Sequence, residues 1–417
     1  MRRMPATLAQ KLVARAAGRD SVTPGEIVTC KVDLAMIHDS SGPRRLKPML
    51  ERLGAKVWDP SKVVVITDHY LPEYDDESRK ILRIARDWAR ETGIDHFHDE
   101  QGICHVVLPE RGHLRPGMFV VGGDSHSPTG GAFGAYMFGV GATELLGVLV
   151  TGEIWLKVPH TIAMDFDGAF APGVAAKDAI LFLIGRFGLD GGQYQAVEYR
   201  GPAIRALPMQ ERMTLCNMAA ELGAQTGLIA SDSTTQDFLK LKDPEAWESD
   251  QDAPLLAHHR FDASELAPQV AAPHSPANTG PVTEFANVRP QLAYIGACTG
   301  AKLEDLRMAA RVLKGRKSAI RLLVAPASLR DQNVAKSEGT LQVLLEAGAE
   351  LLPNGCGLCA GYGEHLLPEN MVAISSTARN FQGRMGAASS QVYLASPYTV
   401  AATAVAGRIR DPRELLQ

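Results

Sequence analysis

"KVVVITDHYLPEYDDESRKILRIARDWARETG", residues 62–93, is typical of a strand followed by a helix. Its first part, 62–67, is an almost continuous β-branched run, which predicts a strand buried on both faces. Its second part, 77–93, follows acidic residues and ends at Gly93, and one face of the predicted helix has the apolar residues Ile81, Ile84, Ala85 and Trp88. A buried strand that leads into an amphipathic helix is the repeating unit of a parallel α/β architecture.

The same alternation recurs along the chain and predicts the α/β fold class. Further strand candidates are 118–121, 292–296, 319–327 and 371–375, and further helix candidates are 304–315 and 340–349. Thr7 is positioned to cap a first amphipathic helix.

The length of 417 residues exceeds one ordinary hydrophobic core, so we expect several domains. The pattern restarts after 156–161, and the stretch 266–281 is rich in proline and alanine and has no formal charge, which is typical of a linker. We predict α/β domains at 1–158, 159–270 and 285–417, with a linker at 271–284.

The composition argues against several classes of function. The net charge is −4, which does not suggest a surface for nucleic acid or for anionic lipid. The sequence has no apolar run of membrane-spanning length, and six cysteines are too few for a secreted disulfide framework. It also lacks the GxxxxGK phosphate motif and the GxSxG nucleophile motif. We therefore expect a cytoplasmic protein that binds neither nucleic acid nor membranes.

Reactive side chains follow the predicted strands at the point where each strand ends. Such residues are Asp68 and His69 after one strand and Asp124, Ser125 and His126 after another. Ligands of parallel sheets bind beyond the carboxyl ends of the strands, so we expect one shared cleft. A carboxylate beside an imidazole makes a proton donor or acceptor that works near neutral pH. One such pair would more simply be a surface cluster or helix cap, but two pairs together with His105 favour chemistry.

The stretch NGCGLCAG, residues 354–361, places Cys356 and Cys359 three positions apart among glycines. Such a pair alone is compatible with a disulfide, a redox motif, half of a zinc site or part of an iron–sulfur cluster. A zinc site would require a second paired set, which the sequence lacks. Cys298 follows a predicted strand and is the candidate for a third thiolate. This spacing suits a [4Fe-4S] cluster in which one iron lacks a protein ligand and acts as a Lewis acid.

The other cysteines, Cys30, Cys104 and Cys216, are expected to pack as small apolar groups. If the chain around His105 is extended, alternation places His105 in the cleft and Cys104 on the opposite face.

Two arginines and a polar pair complete the candidate residues. Arg379 and Arg384 follow another predicted strand and are suited to anchor a substrate carboxylate. Asn217 and Glu221 are four positions apart, which predicts one shared helix face. On its own, this polar pair indicates only a modest surface feature.

Together these motifs resemble the aconitase superfamily, and most closely the large subunits of 3-isopropylmalate dehydratase and homoaconitase in their short, archaeal-type form. The resemblance covers nearly the whole chain, including GGDSHSPTGGAFGAYMFGVG at 122–141, IGACTGAKLEDLRMAARVLKGR at 295–316 and ARNFQGRMG at 378–386. It implies three α/β/α domains packed around a [4Fe-4S] cluster, with Cys298, Cys356 and Cys359 as ligands. It implies catalytic roles for Asp68, His69, His105, Asp124, His126 and Glu221, and substrate-binding roles for Ser125, Asn217, Arg379 and Arg384.

The superfamily also has a swivelling domain, which brings a catalytic base, and no segment of this sequence is long enough to form it. The resemblance therefore implies a large subunit that acts with a separate small subunit.

The chain departs from the family pattern where Gly300 and Ala378 replace two asparagines. The implied activity is reversible dehydration of a small hydroxy di- or tricarboxylate, and the first candidate is conversion of 2-isopropylmalate to 3-isopropylmalate. The departures leave other substrates open, namely homoaconitate, a methylated malate or citraconate, and an acid of secondary metabolism. A cluster-dependent RNA-binding regulator is disfavoured by the charge.

Overall fold

The computed structural model describes residues 4–242 and 245–416. The outer ends of the first and last predicted domains, residues 1–3 and 417, lie outside this part. Among the described residues, no helix combines the length and the apolar character that crossing a bilayer requires.

The strands are β1 Ile27–Lys31, β2 Leu34–His38, β3 Val63–Ile66, β4 Phe97–His98, β5 Phe119–Gly122, β6 Tyr136–Gly139, β7 Glu153–Lys157, β8 Thr161–Asp167, β9 Ala196–Arg200, β10 Thr226–Leu228, β11 Ala257–Asp262, β12 Gln269–Ala271, β13 Thr279–Pro281, β14 Leu292–Ile295, β15 Arg321–Val324, β16 Ala349–Leu351, β17 Val372–Ser375 and β18 Gln391–Ala395.

The α-helices are α1 Leu8–Ala16, α2 Pro43–Leu53, α3 Asp76–Thr92, α4 Cys104–Glu110, α5 Ala142–Thr151, α6 Ala176–Phe187, α7 Pro202–Arg205, α8 Met209–Asn217, α9 Ser233–Leu239, α10 Leu303–Leu313, α11 Leu329–Ser337, α12 Thr340–Glu346 and α13 Pro397–Ala406. Short 3-10 helices span Pro60–Lys62, Ser127–Phe133, Ala263–Glu265, Val282–Phe285, Gly357–Ala360 and Pro412–Glu414.

Three sheets follow one another along the chain and confirm the α/β class. The first has the order β4-β3-β2-β5-β6 and is parallel throughout. The second has the order β10-β9-β8-β11 and is also parallel. The third has the order β13-β12-β18-β17-β14-β15-β16, and its strands from β18 to β16 are parallel. A separate antiparallel ribbon joins β1 to β7.

The stretch 62–93 forms the predicted strand and helix. All four residues of β3 are buried, because sheet neighbours lie on both sides and helices cover its faces. Asp75 caps α3 by accepting the N–H of Ser78 at 2.7 Å, and Gly93 ends the helix in the left-handed conformation, with φ of 72°. Such an ending favours glycine, since other residues are strained at that φ.

Part of the predicted linker, 271–284, belongs to the third sheet. β12 and β13 pair antiparallel at its edge, and Val270 of β12 pairs with Ala395 of β18. An edge strand tolerates proline, because its outer N–H groups need no partner. The linker prediction is therefore wrong for these residues.

The first and third sheets each have a point where the chain reverses its direction of growth across the sheet. In the first sheet this point lies between β2 and β5, and in the third it lies between β14 and β17. A crevice opens beyond the carboxyl ends of strands at such a point, and ligands bind there. The loops that follow β5, β14 and β17 hold six of the residues predicted to be functional, namely Asp124, Ser125, His126, Cys298, Arg379 and Arg384.

Candidate active site

The loop after β3 holds the predicted aspartate–histidine pair. Asp68 is fully buried; its Oδ1 lies 2.6 Å from Nδ1 of His69, and its Oδ2 accepts the N–H of Cys104 at 2.7 Å. Burial alone would raise the pKa of Asp68, but the charge of His69 and these hydrogen bonds outweigh it and hold the pKa well below its usual range. Because Asp68 engages Nδ1 of His69, proton transfer is assigned to Nε2; the thiol of Cys356 is a further partner of the same ring.

Two neighbours of this pair, His38 and Asp39, are absent from the predicted set. His38 ends β2 and stacks on His69, with ring centroids 4.1 Å apart. Asp39 accepts the backbone N–H groups of residues 68, 69 and 70 at 3.2, 3.1 and 2.8 Å, which fixes the loop. Their sequence signal is the run LAMIHD at 34–39, where a strand pattern ends on a histidine–aspartate pair.

A second network joins the ends of all three sheets. Oδ1 of Asp124 lies 2.7 Å from Nε2 of His105 and accepts the N–H of His126 at 2.8 Å. Nε2 of His126 lies 2.9 Å from Oε1 of Glu221, and the same oxygen accepts Nε–H of Arg379 at 2.6 Å. Burial would raise the pKa of Glu221, but His126 and Arg379 together lower it to about 2. Glu221 is therefore a carboxylate that orients both neighbours.

The segment around His105 is helical, and this corrects the prediction for Cys104. Helix α4 begins at Cys104, so neighbouring side chains do not alternate between two faces. His105 reaches Asp124 as expected. Cys104 is buried beside Asp68, and burial, followed by that carboxylate, raises the pKa of its thiol well above the usual value. The prediction that Cys104 faces away from the site is therefore wrong.

Asn217 and Glu221 do not share a helix face. Helix α8 ends at Asn217, and Glu221 lies in the turns that follow it. Both side chains are nevertheless buried at the site. Nδ2 of Asn217 donates to Oγ1 of Thr129 at 2.8 Å and to Sγ of Cys298 at 3.2 Å. The prediction of one helix face is wrong, because the helix stops before Glu221.

The three predicted cluster cysteines are free thiols on two loops. Cys298 follows β14, and burial raises the pKa of its thiol to about 12. Cys356 and Cys359 lie on the loop after β16, where the N–H of Cys356 donates to the carbonyl of Asp68 at 2.8 Å. Sγ of Cys356 lies 3.9 Å from Oδ2 of Asp68, so the cysteine loop contacts the acid–base pair directly.

The spacing of these sulfurs distinguishes between kinds of metal site. A tetrahedral zinc ion with Zn–S bonds of about 2.3 Å holds its sulfurs roughly 3.8 Å apart. Within the described chain, the three thiols do not form a group whose ligand atoms all lie within 4.8 Å of one another. The three sulfurs are therefore spread more widely than the ligands of one preformed zinc site.

Two buried lysines, also absent from the predicted set, hold the Cys298 loop. Nζ of Lys302 donates to the carbonyl of Cys298 at 2.8 Å and to Oδ2 of Asp305 at 2.7 Å. Nζ of Lys177 donates to Oγ1 of Thr299, next to Cys298, at 3.3 Å and to the carbonyls of residues 376 and 377 at 3.0 and 2.7 Å. Burial lowers the pKa of Lys177 to about 8. The sequence places Lys302 four residues after Cys298 and three before Asp305, and this spacing could have indicated its role. No comparable pattern surrounds Lys177.

A cavity of about 380 Å³ opens beside the second network. Asp124, Ser125 and Arg379 line it, and Ser125 is exposed on its wall. Arg384 lies against the cysteine loop, where a Cβ on Gly361 would come within 2.6 Å of its carbonyl oxygen. Its Nε is buried, and no described residue is its hydrogen-bond partner. The described contacts do not connect Arg384 to Glu221.

The profile of the Aconitase family (aconitate hydratase) matches residues 10–407. The chain belongs to this family. It is 43% identical to "3-isopropylmalate dehydratase large subunit 1" of Methanopyrus kandleri over 99% of this chain and 100% of that protein. It is 44% identical to "Probable methanogen homoaconitase large subunit" of Methanosarcina mazei over 92% of this chain and 99% of that protein.

The crystal structure of Thermococcus kodakaraensis aconitase X in its holo-form matches 84% of each chain, with a TM-score of 0.52 and 14% identity. That likeness shows the fold alone. The resemblance expected from the sequence is confirmed at the level of the family, whose members generally bind a [4Fe-4S] cluster.

The departure at Gly300 leads to a prediction about stability. A Cβ there would overlap the side chain of Ser376, so Gly300→Ala forces the Cys298 loop to shift. We expect a loss of about 1–3 kcal/mol in the free energy of unfolding, measured by denaturant titration.

The matched control is Gly147→Ala, because Gly147 lies inside α5 and a Cβ there meets nothing within 4 Å. It should raise the stability by about 0.5–1 kcal/mol. Equal effects of the two substitutions would contradict the close contact at Gly300.

Proposed function

We propose that this chain is the cluster-binding large subunit of a hydro-lyase. Its reaction is reversible dehydration and isomerisation of a hydroxy di- or tricarboxylate, with 2-isopropylmalate to 3-isopropylmalate as the first candidate. One observation supports this most strongly: the cysteines and the acid–base residues meet. Asn217 donates to Cys298 at 3.2 Å, and Cys356 lies 3.9 Å from Asp68. The names of the relatives support the same conclusion.

Cys298, Cys356 and Cys359 would hold a [4Fe-4S] cluster, leaving one iron without a protein ligand. When bound, that cluster supplies a Lewis acid for a substrate hydroxyl and carboxylate. The fit is supported by three free thiols, by their separation, and by the amide of Asn217 directed at Cys298.

His69 is the proposed acid. Asp68 engages its Nδ1 at 2.6 Å, so the proton for the departing hydroxyl comes from Nε2. Asp124 holds His105 and His126 in place, and these imidazoles orient the water or hydroxyl that leaves and returns. Glu221 fixes His126 on its other side.

The substrate carboxylates are assigned to the positive and polar groups of the cavity. Arg379 is held at Nε by Glu221, which leaves its terminal NH groups for a ligand. A charge that develops beside a carboxylate is stabilised by such a preorganised cation. Ser125, Asn217 and Arg384 are the further proposed substrate-binding residues.

We also propose that the base that removes the carbon-bound proton comes from a separate small subunit. The relatives are named as large subunits, which supports a two-subunit enzyme.

Homoaconitase is the second candidate function. The Methanosarcina mazei relative with that name is as similar to this chain as the dehydratase relatives are. Gly300 and Ala378 also remove two amides that the family usually has, which is compatible with a different substrate.

The cluster assignment is tested by Cys298→Ser. After anaerobic loading with iron and sulfide, we expect this variant to lose the visible absorbance and the acid-labile sulfide of the wild type. The control is Cys30→Ala, because Cys30 is buried in β1, away from the three proposed ligands. A wild-type chain that takes up zinc without sulfide would contradict the cluster.

The reaction is tested with the loaded chain and a separately purified candidate small subunit from the same organism. We expect turnover of 2-isopropylmalate, with homoaconitate as the comparison substrate, only when both subunits are present. Formation and loss of the unsaturated intermediate are followed by ultraviolet absorbance. Full turnover by this chain alone would contradict the assignment of the base to the partner.

The role of Arg379 is tested by Arg379→Lys. Lysine keeps the charge but loses the planar, bidentate geometry, so we expect KM to rise about tenfold or more with the cluster absorbance unchanged. The matched control is Arg200→Lys, since Arg200 pairs with Asp165 at 2.7 Å in the second sheet. An equal rise of KM in both variants would contradict a substrate contact.

A further inference from the structure

Tyr294 has a buried hydroxyl that the described protein atoms do not satisfy. The residue is fully buried in β14, and no described residue is a hydrogen-bond partner of its hydroxyl. A buried tyrosine hydroxyl normally has a partner, since burying it alone is unfavourable. Phenylalanine would fill the same space without that penalty. The hydroxyl therefore indicates a missing acceptor.

The position of the ring suggests where that acceptor lies. The ring packs on Gly296, where a Cβ would overlap both the ring and the hydroxyl, and Gly296 is two residues before Cys298. The same ring lines a cavity of about 160 Å³ together with Gly355, Gly357 and Leu358 of the cysteine loop. Tyr294 thus lies between the two segments that hold the predicted cluster ligands.

The charges around the hydroxyl agree with this position. Burial raises the pKa of Tyr294 well above its usual value, and Cys359 and Cys356 raise it further. The two cysteines are the ionisable groups that act on this hydroxyl. A tyrosine hydroxyl is protonated near neutral pH and is therefore available as a donor.

We propose that the Tyr294 hydroxyl donates a hydrogen bond to sulfur of the iron–sulfur cluster, either a cluster sulfide or the thiolate of Cys356 or Cys359. This inference rests on the proposed function, since it requires the cluster. A donor to cluster sulfur stabilises the more negative oxidation state and raises the reduction potential. Tyr294 is thus a residue that tunes the cluster and slows its oxidation.

The test compares loaded wild type with Tyr294→Phe. We expect a more negative midpoint potential, measured by electron paramagnetic resonance in a redox titration, and severalfold faster bleaching of the visible absorbance in air. Iron and sulfide content before exposure should be unchanged. The control is Tyr362→Phe, because Tyr362 lines the same cavity and its hydroxyl also has no described hydrogen-bond partner. The polar groups that act on Tyr362 are Ser78, Asp75, Tyr74 and Tyr70 and not the cysteines, so this variant should leave the potential unchanged.

Equal potentials and bleaching rates in wild type and Tyr294→Phe would overturn the inference. If Tyr294→Phe does not load, site-specific replacement of Tyr294 by 3-fluorotyrosine keeps the ring and makes the hydroxyl a stronger donor. The potential should then shift in the positive direction, and no shift would overturn the inference. Failure of the proposed function would be seen earlier, as wild type that binds no iron and sulfide.

Discussion

The carboxylate of Glu221 joins the three sheets. It lies on the turns between β9 and β10 of the second sheet, and its oxygen contacts His126 from the first sheet and Arg379 from the third. A buried carboxylate remains ionised only when such partners surround it, and leaving either partner alone is strongly unfavourable. The three sheets must therefore meet at this oxygen. The position of the cavity and the directions of His126 and Arg379 follow from that requirement.

Most of the site could be predicted from the rule that functional residues follow parallel strands. Asp68, Asp124 and Cys298 were found in this way, because an apolar run followed by a reactive residue is visible in sequence. The same rule applies to His38, whose strand LAMIH has fewer β-branched residues than the VVVI of β3. The directions of side chains are harder to predict, because a short apolar run does not distinguish a strand from the start of a helix. For this reason the sequence wrongly predicts that Cys104 faces away from the site.

Contacts between residues that are far apart in the sequence cannot be predicted from local sequence patterns. Lys177 has no motif around it, and its ammonium is defined by carbonyls 199 and 200 residues away. From the sequence, Gly300 is notable because it replaces an asparagine of the family pattern and so removes an amide. In the structure, close packing against Ser376 explains why a glycine stands there. Oγ of Ser376 donates to the carbonyls of Gly296 and Gly300 at 3.1 and 3.2 Å, and it occupies the space that a side chain at Gly300 would need.

The two buried lysines also fix the backbone on either side of Cys298. Lys302 donates to the carbonyl of Cys298, and Lys177 donates both to Thr299 and to the carbonyls of residues 376 and 377. A single buried ammonium of α6 thus couples the loop of Cys298 to the loop that leads to Arg379, so the predicted cluster ligand and the predicted substrate anchor cannot shift independently of each other.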